Sequence, residues 1–284
     1  MITVQWISNF CNNMFQWAVL YAVSRKTGIP YTTNGWTGEA TRRAYKVADG
    51  REIFNLPPEP DFSLYQETGR FMDSNSMDQS FNPEIFNIPD GTKLWGYFQT
   101  DKYFRDYRND ILKYFTYKDP KYDKRAKELI DSMNRKIVVC AHSREGDYVT
   151  DPGFTVVSEL YFRKAFELLF KKLNIKAEDI GCIFTSDNKD STKLNFLNEL
   201  GVKLLISKED NFTDMSIMKQ ADHCITANST FSWWGAWLNQ KQPIIISPFK
   251  WINFDFDDRD FSSPRHIQMS LLNQYFIDNK GNLQ

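Results

Sequence analysis

From Lys136 onward, short apolar runs alternate with helical stretches, and no other feature restricts the fold as strongly. The runs are Ile137 to Ala141, Ile180 to Thr185, Val202 to Ile206, His223 to Thr226 and Pro243 to Ser247. Helical patterns lie between them, at Ser158 to Leu173, Ser191 to Leu200, Thr213 to Lys219 and Thr230 to Leu238. Strands that alternate with helices pair in parallel, and helices then cover both faces of the sheet. Burial on both faces explains why the runs are apolar throughout rather than at every second residue. The pattern predicts a doubly wound α/β domain over residues 136–284. Ligands of such sheets sit beyond the carboxyl ends of the strands. Three polar clusters fall at those ends: His142 to Asp147, Ser186-Asp187-Asn188, and Asn228 to Ser232.

Residues 1–135 are less regular. Residues 2–7 read as a strand, and Asn12 to Lys26 as a helix stopped by Gly28 and Pro30. Residues 31–90 are rich in Pro, Gly, Asn and aromatics, with Pro57-Pro58 and Pro60 breaking any long element. We read this stretch as the wall of an acceptor cleft. The charged residues 120–135 predict a surface helix leading into the second half.

Composition narrows the function classes. With 42% hydrophobic and 15% aromatic residues, a large core can be buried. Lys and Arg number 35 against 36 Asp and Glu, so no net charge draws the chain to nucleic acid or an anionic membrane. Cys11, Cys140, Cys182 and Cys224 lie in or beside apolar runs without CxxC spacing, which predicts buried thiols rather than disulfides or a zinc site. No segment approaches the ~20 apolar residues a membrane helix requires. The N-terminus lacks the basic and apolar regions of a signal peptide.

The densest chemical signal is Cys224-Ile225-Thr226-Ala227-Asn228-Ser229-Thr230-Phe231-Ser232-Trp233-Trp234-Gly235-Ala236-Trp237-Leu238. A strand runs into small hydroxyl and amide residues and then an apolar helix. Asn228 or Ser229 is the expected N-cap, its side-chain oxygen accepting from the first-turn amides. Those amides and the helix dipole suit a phosphate. A capped helix packed in a core explains the pattern equally well, and Trp233, Trp234 and Trp237 read as core.

ANSTFSWWGAWL closely resembles the signature of family 11 glycosyltransferases, the α-1,2-fucosyltransferases that use GDP-fucose. Three more stretches agree in order. Cys11 to Ala18 resembles the family's GNQMFQYA, Gly96 to Phe104 (GYFQTDKYF) a further family stretch, and Ala141 to Tyr148 (AHSREGDY) its HIRRGDY. The resemblance implies a GT-B-like α/β fold of two domains: an acceptor-side domain over 1–135 and a Rossmann-like GDP-sugar-binding domain over 136–284. It implies an inverting, metal-independent transfer of fucose from GDP-β-L-fucose to the 2-hydroxyl of a galactose-type acceptor. No cofactor is then expected; the partners are a GDP-sugar donor and a glycan acceptor, with no nucleic acid and no integral membrane segment. Animal members carry an N-terminal anchor that this sequence lacks. The expectation is therefore a bacterial enzyme, either free in the cytoplasm or peripheral to the inner membrane.

Within that resemblance, Arg144 is the candidate for compensating the departing diphosphate, because a guanidinium pairs bidentately with phosphate and stays charged. His142 is expected near the nucleotide or as a core histidine at a strand end. Asp187 suits the guanine amine or the ribose hydroxyls. Ser229, Thr230 and Ser232 are candidates for hydrogen bonds to the diphosphate. Asn12 is placed beside the donor sugar, with an N-cap as its structural alternative. Asp147 is the first choice for general base, ahead of Asp151; an aspartate that merely orients Arg144 explains the motif as well. Asp255 and Asp257 form a DxD of the kind that binds manganese, although a solvated acidic loop is the commoner meaning.

Two departures bear on activity. The family's GGLG becomes Ser8-Asn9-Phe10-Cys11, which costs backbone freedom. The second motif arginine becomes Glu145, expected to turn away from the diphosphate toward Arg163, Lys164 or the acceptor side. A member that binds nucleotide or glycan without turnover, or one with a different nucleotide sugar, remains the alternative.

Overall fold

The computed structural model describes residues 1–36, 48–72, 81–249, 251, 273–278 and 280–283. It divides into two compact units, one running from Met1 to Asp119 and the other beginning at Pro120.

In the first unit, β1 (Thr3–Val4), β2 (Gly69–Met72) and β3 (Thr92–Trp95) form a parallel sheet in the order β1-β3-β2. A further segment runs parallel beside β1, where Ile2 bridges Tyr31 and the Thr3 hydroxyl donates to the Thr32 carbonyl at 2.7 Å. Helix α1 (Phe10–Thr27) follows β1 and is buried from Cys11 to Val23 on every face. Such a helix has no polar side to water, so its packing partners must surround it. They are aromatic: Trp17 stacks on Tyr21 at 5.3 Å and meets Phe115 at 5.2 Å, and Phe115 meets Phe54 at 5.0 Å. Gly28 ends the helix at φ 76°, and its N–H bonds the Ser24 carbonyl at 2.9 Å. That left-handed C-cap suits glycine because it has no Cβ.

The second unit opens with α4 (Lys121–Ser132), after the shorter α2 (Gly50–Ile53) and α3 (Arg108–Tyr114) of the first. It continues β4 (Ile137–Ser143), α5 (Glu159–Leu173), β5 (Ile180–Ser186), α6 (Phe196–Glu199), β6 (Lys203–Ile206), α7 (Asn211–Gln220), β7 (His223–Ile225), α8 (Thr230–Trp237), β8 (Ile244–Pro248) and β9 (Asn273–Ile277). All six strands are parallel, in the order β6-β5-β4-β7-β8-β9. Numbered within the unit this is 3-2-1-4-5-6, the doubly wound order whose switch point lies between β4 and β7. Every predicted strand is present. The helix expected over Ser191 to Leu200 is only Phe196–Glu199, and β9 carried no signal that set it apart from the loops around it. The four cysteines are buried and free, and Trp233, Trp234 and Trp237 pack together with ring centroids 5.0–6.0 Å apart. No helix among the described residues is long and apolar enough to cross a membrane.

Candidate active site at the sheet switch point

The carboxyl ends of β4, β5 and β7 gather most of the predicted residues. β4 ends in His142 and Ser143 and delivers Arg144 into the loop beyond. The Arg144 guanidinium is gripped from two sides, by Asp147 Oδ1 at 2.7 Å and by Asp187 Oδ2 at 3.0 Å. Asp187 follows β5, and its other oxygen accepts the Glu145 backbone N–H at 2.8 Å. This clasp leaves no room at Gly146, where a Cβ would come within 2.4 Å of Asp187 Oδ2. A glycine is therefore required by close approach, even though its φ is not positive.

Glu145 does turn away from Arg144, but not toward Arg163 or Lys164. Arg163 pairs with Glu159 and Lys164 with Glu167. Glu145 is instead buried under the loop after β5, accepting from Ser191 Oγ at 2.6 Å and Asn188 Nδ2 at 3.0 Å, with Lys193 Nζ at 3.3 Å. Burial by itself raises its pKa; those hydrogen bonds and the Lys193 charge outweigh it and hold the carboxyl below its ordinary value. The reversal of charge is thus answered locally, by a lysine three turns of loop away in sequence but adjacent in space. Charge pairing across loops has no periodic signature, which is why it escaped the sequence.

His142 is 5% exposed. Its Nδ1 lies 3.1 Å from Thr185 Oγ1, its ring sits 5.0 Å from that of Phe231, and its Nε2 is buried without a partner among the described residues. Burial, assisted by Arg144 and Lys189, lowers its pKa to about 3, so the imidazole is neutral near pH 7.

Beyond β7 the loop enters α8 at Ser229. Neither Asn228 nor Ser229 caps the helix through its side chain, contrary to expectation. Asn228 Nδ2 spans to the carbonyls of Thr155 and Trp251, both at 2.9 Å, and its Oδ1 is buried with no partner among the described residues. The first-turn amides at Thr230, Phe231 and Ser232 are therefore left without a capping oxygen, which is the state an incoming anion needs. The Ser232 hydroxyl is wholly buried and serves its own loop, accepting from Ala227 N–H at 3.2 Å and lying 3.2 Å from the Ser229 carbonyl. It shapes the turn, so a ligand could meet only its backbone. Tyr148 ties the two loops, stacking on Phe154 at 4.2 Å and donating to the Asn228 carbonyl at 3.2 Å.

Asp151 accepts the Gly153 N–H at 2.9 Å in a local turn. Asp255 and Asp257 lie outside the described residues.

Asn12 belongs to the first unit. It is not an N-cap: Asn9 holds that position, with no side-chain bond, and Asn12 sits inside α1. Its Nδ2 donates to Ser8 Oγ at 2.8 Å and its Oδ1 accepts from Gln99 Nε2 at 2.6 Å. Asn13 and Gln16 extend the cluster, Asn13 to the Ile7 carbonyl at 3.0 Å and Gln16 to the Gly96 carbonyl at 2.9 Å. Two stretches of the family resemblance, Cys11 to Ala18 and Gly96 to Phe104, are thereby one hydrogen-bonded cluster. The lost glycines matter less than the residue types suggest. Phe10 and Cys11 are helical, and at this turn only Ser8 takes positive φ, at 65°. Its hydroxyl is recruited by Asn12, which offsets some of the cost.

With this geometry in hand, three comparisons agree. The model for glycosyl transferase family 11 matches residues 70–266. An O-antigen biosynthesis glycosyltransferase WbnK of Escherichia coli is 29% identical over 182 residues, covering 58% of this chain and 56% of that protein. An α-1,2-colitosyltransferase of Escherichia coli is 26% identical over 262 residues, 84% of this chain and 88% of that one. Among solved structures, Arabidopsis thaliana FUT1 in complex with GDP superposes with a TM-score of 0.54 at 11% identity, over 86% of this chain and 70% of that one. The α-1,6-fucosyltransferase NodZ co-crystallized with GDP gives 0.51 at 11%, over 84% and 92%. At such identities the structures attest the fold, which is GT-B-like α/β. The matched region takes in β3, the Arg144 clasp and the α8 turn, and the chain belongs to glycosyl transferase family 11.

Proposed function

We propose that the protein is an inverting fucosyltransferase that moves fucose from GDP-β-L-fucose to the 2-hydroxyl of a galactose-type acceptor in a bacterial surface glycan. The observation that carries the reading is the pairing, at one sheet switch point, of the Arg144 guanidinium with the uncapped first turn of α8. Both are built for oxyanions. As the bond from the sugar to the diphosphate breaks, negative charge grows on the phosphate oxygens. A planar cation and fixed backbone dipoles stabilise that charge without reorganising. Metal is not needed on this account, because the positive potential is already in the protein.

Asp147 then has two roles to fill in turn. While it pairs with Arg144 it aims the guanidinium; as a carboxylate it can also accept the acceptor hydroxyl's proton. Neutral His142 and Asn228 Oδ1 offer buried hydrogen-bonding atoms at the same strand ends, suited to the uncharged part of a nucleotide. Asp187 is a further acceptor for guanine or ribose donors. Asn12 is proposed as a contact to the donor sugar.

A second donor has a specific observation in its favour. The relative that aligns over most of its length carries the name α-1,2-colitosyltransferase, so nucleotide-activated colitose is the rival sugar. The test is a thermal-shift series with GDP, GDP-fucose and UDP, followed by product linkage analysis with both donors. Ligand at ~100 times its Kd adds about 2.7 kcal/mol of apparent stability. A response no stronger for guanine than for uracil nucleotides would sink the reading.

A further inference from the structure

The first unit holds a cleft of its own. Its volume is ≈ 440 Å³, and its walls include Thr33, Arg51, Glu59, Phe62 and Lys118. That is large enough for one or two sugar rings, toward the lower end of ordinary ligand sites. The cleft opens where the segment beside β1 ends, just past Tyr31 and Thr32, so it occupies the carboxyl edge of the second parallel sheet as the Arg144 clasp occupies the first. Its floor is held in advance. Glu59 stands between prolines whose φ cannot vary, and one carboxylate oxygen takes both the Thr33 N–H at 2.6 Å and the Thr33 hydroxyl at 2.7 Å. The Thr32 hydroxyl fastens the Pro60 carbonyl at 2.7 Å.

The other oxygen, Glu59 Oε1, is buried with no partner among the described residues. A buried acceptor left unsatisfied costs free energy, and a carboxylate accepts only. Its burial also raises the pKa of the acid, the expected cost of an acceptor still waiting for a donor. Arg51 is already engaged by Asp49 at 2.7 Å, and with Lys118 it balances Glu59 and Asp61, so the cleft does not select anions. Its occupant should therefore be neutral and rich in hydroxyl donors. Phe62, stacked on Tyr65 at 5.7 Å, offers a ring edge or face to the C–H side of a pyranose.

We propose that this cleft is a carbohydrate subsite, in which Glu59 Oε1 accepts from a hydroxyl of a neutral sugar and Phe62 and Lys118 line the ring. It rests on the transferase reading only in naming that sugar as part of the acceptor glycan; the site itself does not. The experiment is saturation-transfer NMR of the full chain with N-acetyllactosamine and with methyl β-D-galactopyranoside, beside a GDP thermal-shift measurement on the same samples. Wild-type protein should transfer saturation to galactoside ring protons. Glu59→Gln should weaken that binding tenfold or more and Lys118→Ala about threefold, both leaving the GDP response unchanged. Unaltered galactoside binding in Glu59→Gln overturns the proposal, as does the absence of any transfer to either sugar in the wild type. Should Glu59→Gln fail to fold, Lys118→Ala and Phe62→Ala decide by the same readout. Loss of the GDP response alone, with galactoside binding intact, would overturn the transferase reading and uphold this subsite.

Discussion

The two units solve the same problem, a parallel sheet with a site at its edge, by different means. The second builds its core from six apolar strands and amphipathic helices, with Phe162, Phe166, Phe184 and Ile225 among the residues buried between them. Its strand ends are then free to carry charge: Arg144, Asp147, Asp187, Glu145 and Lys193 interlock there. The first has short strands and leans on aromatic rings around α1, and its strand ends carry amides, Asn12, Asn13, Gln16 and Gln99. The contrast teaches that chemistry follows the core's construction. A regular sheet supports a charged cluster because its backbone is satisfied elsewhere. A less regular core uses neutral amides to tie its own loops, and these give up their hydrogen bonds only to a ligand that replaces them.

The largest effect should come from the aromatic core. Trp17→Ala removes a fully buried ring that packs against several others. Denaturant unfolding should show a loss of about 3–5 kcal/mol. A loss under ~1 kcal/mol would mean that α1 is held by its amides rather than its rings.

Next comes the charged cluster. Arg144→Lys keeps the charge but loses the fork that spans Asp147 and Asp187. Turnover should fall ~10²–10³-fold, or about 2.7–4 kcal/mol, with an unchanged melting temperature. Near wild-type kcat would show that Arg144 does not face the leaving group.

A smaller effect belongs to His142. Its pKa is about 3 in the folded protein against an ordinary 6.5. Below pH 6.5 the unfolded chain takes up a proton that the folded site refuses, so stability falls as pH drops, until about pH 3. At pH 5 the loss is about 2 kcal/mol. Unfolding of wild type and His142→Asn at pH 7 and pH 5 isolates it; equal losses in both proteins would show that the imidazole titrates normally.

The smallest is Glu145→Gln. Because Glu145 is turned into the Ser191, Asn188 and Lys193 pocket, GDP affinity by calorimetry should change less than threefold. Tightening of tenfold or more would put Glu145 against the diphosphate after all, and the weak or non-catalytic relative would become the better reading.

The second unit was legible because its strands are apolar without interruption and its helices carry caps such as Ser158, which accepts from the Tyr161 N–H. The first was not. A helix buried on all faces has no stripe to read, so α1 announced its existence but not its surroundings. β2 and β3 are four residues each, too short for alternation to rise above a Pro- and Asn-rich background. At the site, residue types and strand positions were readable, whereas partners were not. Ser232 was expected to face a ligand and instead braces its own turn. Glu145 was expected near Arg163 or Lys164 and found Lys193. Both outcomes depend on loop conformation, which local sequence constrains weakly.

The double grip on Arg144 has a kinetic corollary. On the proposed reading, an arriving diphosphate competes with Asp147 and Asp187 for the same guanidinium edges, so loading the donor loosens Asp147 from its pairing. Until then that carboxylate is occupied and makes a poor base; afterwards it is free to take a proton. An acceptor that arrived first would meet a base still engaged elsewhere. Steady-state kinetics should accordingly be sequential and ordered, with the nucleotide sugar first on and GDP last off.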